Sequence, residues 1–178
     1  MNFKKFIIIP IIIATLAFTI QIVDQLLSPL MPPAGNFGFG WIAFQAWAMY
    51  FLAGCDIKGG IKTFLGYGSG IIASILIMEF GAAFMGIGFL SFPLAVFLVV
   101  IPVICLERIP WLDFVPAVFV GSGVFFGFMS YISAATYQGA AFTELVYCAI
   151  GLFYGYMTVT LRGAYEASVN SDEISETN

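Results

Sequence analysis

Three acidic residues, Asp24, Glu79 and Glu144, stand inside apolar stretches of this chain. A carboxyl at membrane depth is costly and by default marks a cavity, a partner or an ion path. Counted from the centres of their stretches at a rise of ~1.5 Å per residue, all three lie about 10–12 Å toward one face, just within the hydrocarbon edge. No Lys or Arg is available at that level, so three grouped carboxyls would hold a cation or exchange protons. The alternative is three separate interfacial carboxyls, each reaching water alone. Nearer the midplane sit Gln45, Ser69 and Ser122. An amide in hydrocarbon must find hydrogen-bond partners, so a ring of these three would pin helices together or select a small polar solute. Tyr67, Tyr147 and Tyr154 could add hydroxyls, but aromatic residues are too common here to be diagnostic.

These side chains need helices to hold them, and the glycines indicate how the helices meet. Gly66-x-x-x-Gly70, Gly123-x-x-x-Gly127 and Gly151-x-x-x-Gly155 each place two glycines on one helix face. In lipid there is little hydrophobic drive between helices, so close backbone approach through small residues must supply the contacts. Gly68-Ser69-Gly70 recurs as Gly121-Ser122-Gly123. The two stretches, Lys62–Ile77 and Val115–Tyr131, are therefore expected at the centre, with Gly68, Gly70, Gly121 and Gly123 giving close approach. If the recurrence reflects duplication, helices two–three and four–five form a parallel repeat of one hairpin.

In order, the apolar run Phe6–Val23 is too long for the core of a signal peptide, and no small-residue cleavage site follows it. It predicts a retained first helix within Met1–Leu27. Helix two is expected over about Phe39–Gly54, helix three over Ile61–Phe80 and helix four over Phe89–Leu106, kinked or started late by Pro93 and Pro102. Helix five is Val115–Tyr131 and helix six about Ala140–Leu161. Residues 1–162 thus form the bundle, and 163–178 an acidic tail too polar to fold alone. The connections Cys55–Gly60 and Glu107–Asp113 are polar, whereas Ser28–Gly38, Gly81–Gly88 and Ile132–Gly139 carry no charge.

The fold class is therefore all-α, a polytopic bundle of about six transmembrane helices. The chain is 61% hydrophobic and 9% charged, against about 25% charged in soluble domains. Such a chain cannot cover a water-facing surface. Lys4, Lys5, Lys58, Lys62, Arg108 and Arg162 all fall at the N-terminus, the second loop, the fourth loop or the start of the tail. The positive-inside rule then puts both termini in the cytoplasm. Nucleic acid is excluded as a partner by the lack of a basic patch. There is no His, no G-x-S-x-G elbow and no phosphate-binding loop, which argues against an enzyme, a metal or any cofactor. Cys55, Cys105 and Cys148 are expected as free, buried thiols.

Three stretches carry a resemblance: Trp41–Lys62 (WIAFQAWAMYFLAGCDIKGGIK), Phe114–Gly121 (FVPAVFVG) and Gly151–Tyr156 (GLFYGY). Together they resemble the YcdZ-like bacterial inner-membrane proteins, domain-of-unknown-function family 1097, from about Gly40 to Arg162. The resemblance implies a small multi-pass protein of the bacterial inner membrane and brings no activity or site residues with it. The expectation that follows is a lipid-embedded homo-oligomer forming a channel or transporter for a small solute. Asp24, Glu79 and Glu144 would line an outer vestibule, with Gln45, Ser69 and Ser122 as the midplane filter. The alternative is a non-transporting membrane partner or scaffold.

Overall fold

The computed structural model describes residues 3–176. Residues 177 and 178 of the expected tail, and the side chains of Lys4, Asp172, Glu173 and Glu176, lie outside what is described. The described chain is helical with no strand, as expected of an all-α bundle. Six principal helices follow one another: α1 (Ile8–Leu27, led in by the turn Phe3–Phe6), α2 (Gly40–Leu52), α3 (Ile57–Ala83), α4 (Ser91–Cys105), α5 (Val115–Tyr131) and α6 (Tyr137–Glu176).

The starts and stops follow local chemistry. α3 begins four residues earlier than expected because Asp56 caps it, its carboxylate accepting from the Gly59 N–H at 2.6 Å. α2 ends where Gly54 (φ 108°) and Cys55 (φ 62°) turn left-handed. Pro93 falls in the first turn of α4, where its missing N–H costs nothing, and Pro102 lies inside that helix. α6 corrects the reading most. It does not end near Leu161 but continues to Glu176. Beyond Arg162 the helix is docked, since Tyr165 donates to the Lys5 carbonyl at 2.7 Å and Val169 is buried.

Four stretches are long and apolar enough to cross a membrane: Ile8–Leu30, Ile57–Ala83, Met85–Arg108 and Tyr137–Ser171. α5, with 17 residues, is shorter. α2 has only 13, which at ~1.5 Å per residue falls well short of a ~30 Å core. The reason lies in the first connection. Ser28, Met31 and Phe39 are buried, so this connection, one 3-10 turn (Ser28–Leu30) followed by irregular chain, folds onto the bundle ahead of α2. Irregular backbone is tolerated at such depth where protein encloses it.

α3 packs on α5, α4 and α6, and α2 packs chiefly on α6. Neither α2–α3 nor α4–α5 forms a close hairpin, so the suggested repeat finds no support in the packing. α4 is outermost, burying only Ala95 and Val99 and exposing Phe92, Phe97 and Ile101. The three thiols are free, but Cys55 and Cys105 are exposed where burial was expected, because each sits at a helix end; Cys148 is buried.

One end of the bundle gathers the basic residues. Lys62 pairs with Asp113 at 2.7 Å, Lys58 lies 5.9 Å from the Trp111 ring centre, and the Lys5 backbone meets Tyr165. The Lys62 ammonium holds the Asp113 carboxyl below its ordinary value. A depressed carboxylate contributes stability above its unfolded value, and that contribution is lost as pH falls through the folded one. Melting curves taken below about pH 4 should therefore show a small acid-side loss in the wild type that is absent in Asp113→Asn. Both partners are solvated, so high salt should erase the difference.

Candidate functional site

Glycines set the spacing of the bundle around the site. At the α3–α5 crossing a Cβ on Gly66 would meet the Ala117 Cβ at 2.6 Å, and one on Gly121 would meet the Tyr67 Cα at 2.7 Å. A Cβ on Gly70 would strike the Val118 carbonyl. Two hydrogen bonds lock this crossing: the Ser122 hydroxyl donates to the Gly70 carbonyl at 2.9 Å, and Ser74 donates to the Ser122 carbonyl at 3.3 Å. At the α2–α6 crossing Gly151 abuts the Ala43 carbonyl, and a Cβ on Gly155 would lie 2.6 Å from the Tyr50 ring. Gly68 and Gly123 face open space, and Gly127 has only ordinary contact with Trp41. Those three are not packing glycines. A Gly-Ser-Gly triplet spans two helix faces, and only one can meet a neighbour.

The three acids separate. Asp24, near the end of α1, is buried (5% exposed). Its Oδ1 accepts the Phe39 N–H at 3.0 Å and the Tyr147 hydroxyl at 2.7 Å. Phe39 immediately precedes α2, so Asp24 stands at the positive end of that helix dipole and satisfies one of its free donors. Gly40 is needed there, since a Cβ would come within 3.2 Å of the Asp24 carboxyl. Asp24 thus serves as an anchor joining α1, α2 and α6. Glu79 is exposed on α3 and accepts from the Tyr137 hydroxyl. It lies on the surface and lines no vestibule with the other two.

Glu144 is different. It lies on α6 at 0% exposure, and neither carboxyl oxygen has a hydrogen-bond partner. The Tyr67 hydroxyl, reaching from α3, is equally buried and equally unpartnered. Cys148, four residues on from Glu144 and so on the same helix face, is the third buried polar group within electrostatic range. On one side Thr143 is tied to the first connection by its bond to the Pro32 carbonyl (2.9 Å), and on the next turn Tyr147 holds Asp24. Buried polar groups are nearly always satisfied. Glu144, Tyr67 and the Trp47 indole carry buried polar atoms without a partner, and Glu144, the ionisable one with Tyr67 in electrostatic range, is the strongest mark of a functional site among the described residues.

The expected filter does not assemble. Gln45 is exposed and lines an open groove between α2 and α5. Ser69 donates to the Leu65 carbonyl of its own helix and faces the groove beside α4. Ser122 is committed to the α3–α5 lock. Residues that do matter, Tyr67 and Tyr147, had only their type to recommend them in sequence. Cys148 could have been found by its i+4 spacing from Glu144. An apolar groove of about 450 Å³, lined by Tyr50, Ile57, Ile61, Phe64, Leu152 and Phe153, opens on the surface near the basic end and suits a lipid chain better than a polar solute. Among the described residues no group of three or more His, Cys, Asp or Glu could hold a metal ion.

A family model described as Protein of unknown function (DUF1097) matches residues 11–162. No curated protein matches the chain, and no solved structure does.

Proposed function

The chain belongs to the DUF1097 family, and because that description carries no activity we propose one from the geometry: a multi-pass membrane protein that moves a small solute across the bilayer without enzymatic chemistry. The basic end would face the cytoplasm by the positive-inside rule, placing the protein in a bacterial inner membrane with the Asp24 end outward. The observation that carries the transport reading is Glu144, an ionisable side chain enclosed in the bundle with no partner. Burying such a group costs stability without structural return, whereas an ion path requires it. Its full burial favours a carrier that opens alternately to each side over a standing pore.

The experiment is flux into proteoliposomes by stopped-flow light scattering, with urea, acetamide and glycerol as solutes, with and without a proton gradient. Wild-type vesicles should exceed empty ones for at least one solute, and Glu144→Gln should lose most of that excess, on the order of tenfold or more. A specific observation supports a second reading: the grooves beside α4 and between α3 and α6 are apolar, as on a protein that binds a partner helix. Flux equal to empty liposomes under every condition would replace the transport reading with that one.

A further inference from the structure

A buried carboxyl can serve a carrier in more than one way, and the surroundings of Glu144 narrow the choice. Hard divalent cations take six or more oxygen ligands, and desolvated potassium is held by rings of carbonyls. Both Glu144 oxygens are unpartnered, and among the described residues no second acid joins them in a group that could hold a metal ion. Zinc takes Cys or His in sets of three or four, and here Cys148 is alone. A proton needs only one lone pair. The charges that could compete for it are few. α3 contributes Tyr67, α6 itself Cys148, and α1 Asp24, already held by Phe39 and Tyr147. α2 and α5 carry no acid or base in their spans beyond Tyr50, packed on Gly155, and the exposed Tyr131. No Lys or Arg lies on the Glu144 turn or on the turn of α3 that carries Tyr67.

We propose that Glu144, with the Tyr67 hydroxyl beside it, is a proton-binding site, so that the ion coupled to solute movement is the proton. The proposal rests on the transport reading above for its purpose, though not for its detection. The only bond made or broken is O–H: one carboxyl oxygen takes a proton from water on one side of the membrane and returns it to water on the other. In the loaded state the acid is uncharged and needs no counter-ion in the dry interior. Tyr67 supplies a neutral polar neighbour within electrostatic range, which favours neither a bound metal nor a permanent ion pair. Thr143, tied to Pro32, and the Asp24–Phe39–Tyr147 anchor form the wall between this site and the end opposite the basic residues. Loading from that end requires that wall to open.

The test uses the full chain in phosphatidylethanolamine and phosphatidylglycerol vesicles. Infrared spectra recorded between about pH 5 and about pH 10 should contain the carbonyl stretch of a protonated carboxylic acid that is missing in Glu144→Gln. In Tyr67→Phe the band should move, as a polar group within electrostatic range of the carboxyl is removed. Dicyclohexylcarbodiimide, which modifies protonated carboxyls in apolar sites, should label Glu144 at low pH and lose that labelling as pH rises. Exchanging sodium for potassium or choline should change neither signal. Superimposable spectra of wild type and Glu144→Gln, with Glu144 unlabelled at every pH, would overturn the proton site, as would labelling blocked by sodium alone. Flux from the same vesicles separates the two ideas. The band and labelling without flux keep the proton site and sink transport; flux without either keeps transport and sinks the proton site.

Discussion

Gly70→Ala should lower stability by about 3–5 kcal/mol and Gly151→Ala by about 1–3 kcal/mol, while Gly68→Ala and Gly123→Ala leave it unchanged or slightly raised. The difference follows from what a single methyl would meet. At Gly70 it would strike the Val118 carbonyl and come within 2.6 Å of the Ser122 N. At Gly151 it would strike the Ala43 carbonyl and the Ala46 methyl at 2.9 Å. These are backbone atoms of packed helices, or a Cβ fixed to one, so no flexible side chain can swing aside. Overpacking costs about 1–3 kcal/mol where a core can partly adjust. At Gly70, separating the helices would also stretch the Ser122–Gly70 and Ser74–Ser122 hydrogen bonds, at about 1 kcal/mol each. Gly68 and Gly123 have nothing within 4 Å, and Ala is the better helix former by about 1 kcal/mol. Thermal melting in mild detergent, followed by tryptophan fluorescence, would show the ranking. If all four variants melted alike, the crossings would not be as close as described.

The same glycines show how far sequence reaches in a membrane chain. The i, i+4 spacing identified Gly66, Gly70, Gly151 and Gly155, since a face is fixed by helical periodicity alone. The same spacing misassigned Gly123 and Gly127, and the repeated triplet misassigned Gly68, because a shared face or a motif does not say whether a neighbour meets it. The polar residues failed for a related reason. Counting along an apolar stretch gives an expected height in the membrane. Height says nothing of azimuth, which turns by about 100° per residue. Gln45, Ser69 and Ser122 therefore shared a level in the reading and face three different neighbourhoods in the fold. Val115–Tyr131 kept its boundaries because Pro116 fixes its start and polar loop residues precede it. α6 overran its expected end because an acidic, polar sequence still favours helix once Tyr165 and Val169 dock it.

Asp24→Ala should cost about 3–5 kcal/mol, whereas Asp24→Asn should cost about 1–2 kcal/mol. Sequence could not supply this role, since the partners of Asp24 are Phe39, beyond a Pro/Gly-rich connection, and Tyr147, on the last helix. Truncation to Ala leaves the Phe39 N–H and the Tyr147 hydroxyl without an acceptor in a site already closed to water. Each stranded group costs about 1–3 kcal/mol. Asn keeps an oxygen in the position of Oδ1 and loses only the attraction of a negative charge for the positive end of α2, at most ~2 kcal/mol in a buried setting. Tyr147→Phe should fall between them, removing one charge-assisted bond while leaving the N–H capped. Because α2 is only 13 residues long, loosening its first turn removes a larger share of its anchorage than the same change would in α3. Limited proteolysis should therefore cut the Ser28–Phe39 connection faster in Asp24→Ala than in Asp24→Asn. A vestibule carboxyl would behave otherwise: both variants would melt like the wild type, resist protease equally and differ only in solute flux.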